Sequence, residues 1–403
     1  MKLVWIKRGI NMHEFTLEEK RRFRILVAIV SISGFSQGML LPLISVIFEQ
    51  DGVSATLNGL SATGLYIGTL LISPFMEPPL RKFGYKPIII VGGLLVIVSL
   101  MLFPLWKSVA FWFVLRLLIG IGDHALHFST QTWITSFSPQ HRLGRNIAIY
   151  GLSFGVGFAV GPLFVQLVEI FEGLPFIVSS ILCLSAWVLV FFIKNEKPEV
   201  FSDSALIAGT WKRFGAAFAV AWIAFIPPFS YGFLESSLNA IYPVYALRNA
   251  LDVTDLSYIL AAFSIGGVVS QLPLGVLSDR IGRRKVLIVA LAMGSLTFGI
   301  ASMFETSVLV IGSMFFIAGT FVGSTFSLGI SYMTDLTPKE LLPTGNLLCG
   351  IFFSLGSLSG PFLGGLFIQL FDGLSFLILI ALLLGSLSFL ILISNPQKKG
   401  RLL

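Results

Sequence analysis

Three observations on this chain predict an all-α membrane protein of twelve transmembrane helices in two pseudo-symmetric six-helix bundles. First, 55% of its 403 residues are hydrophobic and only 12% are charged, with a mean hydropathy of +0.91. A soluble domain carries about 25% charge, so this chain cannot cover a water-facing surface. Second, its apolar runs recur at the length of roughly 20 residues that a helix needs to cross hydrocarbon. Third, sequence blocks in the first half return in the second. Little chain is left over for a soluble catalytic domain, which excludes an enzyme built on one.

The twelve runs fall at 23–48, 56–76, 87–106, 109–136, 146–170, 174–193, 214–246, 256–278, 286–304, 307–333, 343–370 and 374–394. Unalternating stretches such as Ile88 to Leu105 fit helices rather than barrel strands, whose lipid-facing signal has a period of two. Pro42, Pro162 and Pro361 are compatible with this, because neighbouring helices can satisfy the backbone groups a proline frees. Cys183 and Cys349 both lie in apolar runs, so neither a disulfide framework nor a CxxC metal site is available.

Topology follows from the 27 Lys and Arg residues. The amino-terminal segment, alternate loops and the carboxy-terminal tail hold 24 of them. The other loops hold Lys107 and Arg248, and Arg116 lies within a span. Basic loops face the cytoplasm, so both termini are expected there. This assignment accounts for the net charge of +7 without a nucleic-acid partner. The first apolar run, of about 26 residues, is too long for a signal-peptide core and lacks a small-residue cleavage site. The spacing of Thr16 and Glu19 predicts a capping box on a short amphipathic lead-in. The expected organisation is a cytoplasmic segment 1–22, a six-helix bundle 23–193, a cytoplasmic linker 194–213, a second bundle 214–394 and a cytoplasmic tail 395–403.

The repeat supports the six-and-six division. SPQHRLGRN, GVGFAVGPLF and VEIFEGLPF in the first half answer to TPKELLPTGN, FSLGSLSGPFLGG and QLFDGLSF in the second. Paired halves around a midplane cavity are the architecture of a secondary transporter.

After the eighth run stands GxLxDRxGRRK, formed by Gly275, Asp279, Arg280, Gly282, Arg283 and Arg284 with their neighbours. The corresponding loop EPPLRKFGYKP keeps Arg81, Lys82 and Gly84 but places Arg81 where the Asp would stand, and Glu77 is one turn earlier. Run four contains RxxxGxG at Arg116, Gly120 and Gly122. Run five contains GxxxGP at Gly157, Gly161 and Pro162, and run eleven the fuller GxxxGPxxGG at Gly356, Gly360, Pro361, Gly364 and Gly365. These motifs resemble those of the major facilitator superfamily (MFS), and GxxxGP resembles the antiporter motif of its proton-linked drug-efflux branch. The resemblance covers essentially the whole chain. It implies a multi-pass transporter of a bacterial-type plasma membrane, monomeric in the lipid bilayer. It also implies a small-molecule substrate, protons as the driving gradient, and no cofactor.

Within this frame, Arg116, Asp123 and His127 share one face of run four by their spacing and are the candidates for proton coupling. Glu235 in run seven is the fourth, because a carboxylate facing lipid is costly. Fixed ion-pair or hydrogen-bonded clasp roles remain the alternatives for Asp123 and Glu235. Gln37, His124, Tyr231, Asn239 and Tyr242 are candidate cavity residues. The glycines of the GxxxGP runs are expected either to gate or to pack helices closely.

The expected activity is proton-coupled export of a small amphipathic compound by alternating access, and the alternative is proton-coupled import of a polar metabolite. An intramembrane hydrolase using Ser153 of GLSFG, or a metal enzyme using Asp123, His124 and His127, is the reading from another class. The first lacks the strand and sharp turn its chemistry needs, and the second lacks another strong ligand motif. No metal is expected.

Overall fold

The structure is a computed structural model that describes residues 16–198, 210–305, 307–338, 341–371 and 373–394. Among the described residues, twelve helices are long and apolar enough to cross a membrane. In chain order, and numbered here as spans one to twelve, they are Leu17–Gln50, Ala55–Phe75, Tyr85–Leu105, Val109–Phe137, Arg145–Glu169, Leu174–Phe192, Lys212–Ala240, Val253–Ile281, Arg283–Ala301, Val308–Leu336, Thr344–Leu370 and Phe376–Ile393. The all-helical class therefore holds. The amino-terminal segment before Thr16, residues 199–209 of the expected linker and the tail after Ser394 lie outside the described residues.

Span one begins earlier than hydropathy alone places it. Thr16 Oγ1 accepts from the Glu19 backbone N–H at 3.2 Å, and the Glu19 carboxylate accepts from the Thr16 N–H at 2.8 Å. This capping box satisfies two otherwise orphaned donors, and the amphipathic lead-in is simply the first turn of the spanning helix. Span seven ends earlier than expected: the helix stops at Ala240, and a separate short helix runs over Tyr242–Arg248.

The two halves repeat at the level of side chains. An offset of 198 residues relates Gly34 to Gly232, Gly84 to Gly282 and Lys86 to Arg284. Gly84 and Gly282 have φ of +90° and +96°, in the left-handed region that glycine enters without steric cost, and each turns the chain into span three or nine. Two residues later a cation closes the end of the last helix of its own half. Lys86 Nζ donates to the carbonyls of Phe191 and Ile193 at 3.2 and 2.8 Å, and Arg284 Nη2 donates to those of Ile391 and Leu392 at 3.0 and 2.8 Å. These carbonyls lack intrahelical partners and carry the negative end of the helix dipole.

Glycine brings spans one and five, and likewise seven and eleven, into backbone contact. A Cβ at Gly157 would overlap the Ser31 carbonyl, and one at Gly161 would stand 2.6 Å from the Phe35 carbonyl. In the second half, a Cβ at Gly356 would overlap the Phe229 carbonyl, and one at Gly360 would stand 2.6 Å from that of Phe233. These four glycines pack helices within a half. Their prolines act differently. Span five changes from α-helix to a 3-10 stretch at Gly161–Glu169, whereas Pro361 sits inside the continuous helix Leu342–Leu370.

Replacing Gly157 by Ala should therefore lower the melting temperature of the purified protein, by about 1–3 kcal/mol of stability on the scale of overpacked cores. Gly299, whose added Cβ would meet open space, should tolerate the same change; equal melting curves for all three proteins would refute the close-contact account.

Candidate functional site

Arg116 is fully buried in span four. Its Nη1 donates to Ser61 Oγ of span two at 3.2 Å, while Nε and Nη2 have no hydrogen-bond partner. Tyr66 of span two lies within electrostatic reach of Arg116 and also of Glu235 and Tyr231 in span seven. The guanidinium therefore faces the seam between the halves. A charge there is costly unless a partner or a wet cavity meets it, and two vacant donors are what an incoming acceptor would find.

Asp123 belongs to a different environment. Seven residues along a helix return to nearly the same face but advance by about 10 Å, and the Asp123 carboxylate accepts from Ser33 Oγ of span one at 2.9 Å. No ion pair joins it to Arg116 among the described residues, which corrects the fixed-pair alternative. Ser33 Oγ also stands 3.1 Å from His127 Nε2, and His127 Nδ1 stands 2.8 Å from the Tyr150 hydroxyl of span five, itself 3.2 Å from Thr130 Oγ1. Gln37, one turn beyond Ser33, reaches the same carboxylate. Asp123 is 4% exposed and borders a small void of about 20 Å³ that it shares with Ile89, Val96, Cys183 and Trp187 of spans three and six. Asp123 and His127 thus form a continuous polar chain through the interior of the first bundle. Ser33 and Tyr150, which complete it, are not recognisable in the sequence, where a lone Ser or Tyr in a span has no distinguishing spacing.

Glu235 and Tyr231 remain partly exposed. The Tyr231 ring lies 6.4 and 6.2 Å from those of Phe326 and Phe353, which meet each other edge to face at 5.1 Å. In the first half, half-buried His124 stacks over Phe128 at 6.2 Å. Two expected cavity residues are placed otherwise. Asn239 is 1% exposed and its Nδ2 donates to the Glu235 backbone carbonyl at 2.8 Å. Tyr242 is 1% exposed and packs on Phe315 at 4.8 Å. The helix break after Ala240 removes Tyr242 from the register that placed it beside Glu235. Ser153, the hydrolase lure, donates to Ile149 O at 2.7 Å within its own helix.

The halves are fastened together at the face opposite the basic loops. Arg248 grips Glu49 with two bonds, at 2.7 and 3.1 Å. Ser45 Oγ donates to the Ala240 carbonyl at 2.5 Å, and Thr56 bonds Gln369. A Cβ on Gly365 would overlap the Ala55 carbonyl and one on Gly59 that of Pro361. Gly365 and Pro361 therefore belong to the seam between halves, while Gly364 packs against Phe376 within its own half. Close packing therefore occurs at different residues of one motif, within a half and across the seam.

At the basic face, Arg283 bonds Asp279 at 3.2 Å, Asp335 at 2.5 Å and the Ser331 carbonyl at 2.6 Å, joining spans eight, nine and ten. Arg280 is exposed, and Gly275 has open space where a side chain would stand, so close packing does not account for it. In the first half Tyr85 occupies the position of Arg283 and stacks on Trp133 at 5.3 Å. Lys82 lies over Phe83 at 5.2 Å, and Arg81 stands in the last turn of the short helix Glu77–Phe83. The Glu77 side chain lies outside the described residues, so its replacement of the missing Asp is not part of the observed geometry.

Twelve spans, duplicated halves and a buried cation at the seam define a secondary transporter. The sequence profile of the Major Facilitator Superfamily matches residues 26–252 and 224–402, and the chain belongs to that superfamily. It is a multi-pass membrane transporter and not an enzyme. It is 56% identical to the uncharacterized MFS-type transporter YfkF of Bacillus subtilis (strain 168), over 93% of this chain and 96% of that one. It is 23% identical to multidrug resistance protein 2 of the same organism, over 91% and 92% of the two chains. Its fold is similar to the crystal structure of the nucleoside transporter NupG, with a TM-score of 0.74 and 12% identity over 92% of this chain and 97% of that one.

The seam contacts make a specific expectation. A partly exposed ion pair is worth at most about 1 kcal/mol, so Arg248→Ala should open the Glu49 face without unfolding the halves. In a background lacking Cys183 and Cys349, a cysteine introduced by Ala62→Cys, at a fully buried position in the seam cluster with Leu41 and Ala240, should react up to about fivefold faster with an impermeant thiol reagent. Unchanged labelling would show that the pair does not hold the face shut.

Proposed function

We propose that this transporter exports a small amphipathic compound in exchange for protons, with the basic face and both termini in the cytoplasm. The observation that carries this reading is the seam itself. A buried guanidinium with two unfilled donors and a partly exposed carboxylate, Arg116 and Glu235, share Tyr66 as a neighbour on opposite sides of the two-half boundary. Glu235 is the coupling carboxylate. It can bind a proton or an acceptor-seeking substrate but has to lose one to take the other, and Arg116 answers whichever negative charge is present. Tyr231, Phe326 and Phe353 supply the aromatic surface on which an apolar substrate body rests. Similarity to multidrug resistance protein 2 of Bacillus subtilis and to the efflux pump PmrA of Streptococcus pneumoniae supports export. The Asp123 chain is the second proton site, reached through Ser33 and Tyr150 rather than from the seam. The twenty-four basic residues of the amino-terminal segment, alternate loops and carboxy-terminal tail support the orientation.

The test is transport in proteoliposomes with and without an imposed pH gradient. Glu235→Gln should reduce gradient-driven accumulation to the level of protein-free vesicles while substrate exchange persists. Asp123→Asn should lower the gradient-driven rate and leave some accumulation. If Glu235→Gln accumulates substrate as the parent does, coupling does not run through the seam; accumulation that ignores the pH gradient in the parent removes proton coupling altogether.

A further inference from the structure

A cleft of about 320 Å³ opens between the start of span one and the end of span six, lined by Leu17, Lys20, Arg21, Arg24, Ile25, Leu189 and Phe192. The five residues from span one follow the spacing i, i+3, i+4, i+7, i+8, so they form a single stripe along one helical face. That stripe is not neutralised by its own helix. Glu19 is held by Thr16 in the capping box, Glu18 faces Lys194 at 3.8 Å, and the adjacent Arg22 is occupied by Glu196 at 2.5 Å on another face. Among the described residues, Lys20, Arg21 and Arg24 have no carboxylate partner, and Arg21 lies over the Phe192 ring at 5.8 Å.

The same cleft leaves apolar surface in an unusual place for it. Leu17 is 85% exposed and Phe192 59% exposed, directly beside three cations, at the level where both spans leave the hydrocarbon. Water suits the cations but not these side chains, and lipid chains suit the side chains but not the cations. A phosphate headgroup with an acyl chain beneath it satisfies both, because basic pockets between spans near the membrane surface attract anionic lipid. We propose that this cleft is a binding site for an anionic phospholipid. The phosphate sits among Lys20, Arg21 and Arg24, and an acyl chain runs along Ile25, Leu189 and Phe192. The site lies on the outer surface of the first bundle, away from the seam, and is independent of which substrate the transporter carries.

Native mass spectrometry of the purified full-length chain, titrated with phosphatidylglycerol or phosphatidylcholine, tests this. The parent should retain phosphatidylglycerol in preference to phosphatidylcholine. With roughly fivefold in affinity for each basic residue at a membrane surface, Lys20→Gln, Arg21→Gln and Arg24→Gln together should weaken that retention about 100-fold. Lys82→Gln, Arg280→Gln and Lys285→Gln together remove the same charge from the same face elsewhere and should leave it unchanged. Equal loss in both triple variants would mean that only net charge matters and would overturn the site. So would unchanged retention in the first, or complete displacement of the lipid by equimolar inorganic phosphate, which would mark a free-anion site. If the first triple variant does not fold, Arg21→Gln and Phe192→Ala are read singly: reduced retention in both supports the site, and parental retention in both overturns it.

Discussion

Hydrocarbon offers no hydrogen-bond partner, and that single constraint organises this protein. Every backbone group inside the layer has to be satisfied within the protein, which leaves helices or a closed barrel, and the unalternating apolar runs select helices. Between such helices the surrounding lipid is as apolar as leucine, and close contact rather than hydrophobic burial brings them together. Glycine supplies that contact at Gly157, Gly161, Gly356 and Gly360, where a methyl group would collide with a carbonyl of the facing span. The same rule makes each polar side chain in a span informative, since it is either bonded to protein or facing a place where water or substrate enters.

Much of this is legible in the sequence because the signals are long or covalently local. Spans register through twenty consecutive apolar residues, turns through glycines that must adopt positive φ, and duplication through blocks repeated at offsets of 198 to 200 residues. The sites are less legible, for a geometric reason. Periodicity tells which face a residue shares but not which neighbour lies at its height. Arg116 and Asp123 share a face, yet one meets Ser61 of span two and the other Ser33 of span one. Tyr242 is set apart from Glu235 for a related reason, whereas Asn239 stays in the Glu235 helix and its amide donates to the Glu235 carbonyl. The helix that carries Glu235 stops at Ala240, before Tyr242, and Pro243 in the first turn of the short helix that follows is the sequence signal for that break.

The halves are alike in backbone and unlike in chemistry. At matching positions, Tyr85 stacks on Trp133 in the first half while Arg283 bridges Asp279 and Asp335 in the second. The first-half cluster also includes Glu196, whose carboxylate receives Arg22 at 2.5 Å and Trp133 Nε1 at 2.9 Å, with Arg22 lying 5.2 Å over the Trp133 ring. That arrangement fixes the start of the linker to the bundle it leaves. The second-half ion pairs are exposed and individually weak, whereas the first-half cluster is aromatic, partly buried and tied into the core. Movement at the basic face therefore meets less resistance around Arg283 than around Trp133.

This difference bears on how the halves can separate. Transport by alternating access requires two seams, one closing as the other opens, and each closed state must be weak enough to leave. At the face opposite the basic loops, the contacts that close it among the described residues are one two-bond ion pair, two hydrogen bonds, the glycine contacts at Gly59 and Gly365 and the apolar cluster of Leu41, Ala62 and Ala240. None of these buries a charge that opening would leave stranded, because Glu49 and Arg248 regain water when they part. Arg116 is the opposite case. It is fully buried with the seam closed, and opening the seam would change what its unpaired donors face. Under the proposed exchange, a guanidinium held in that position would couple the state of the seam to the charge that occupies it.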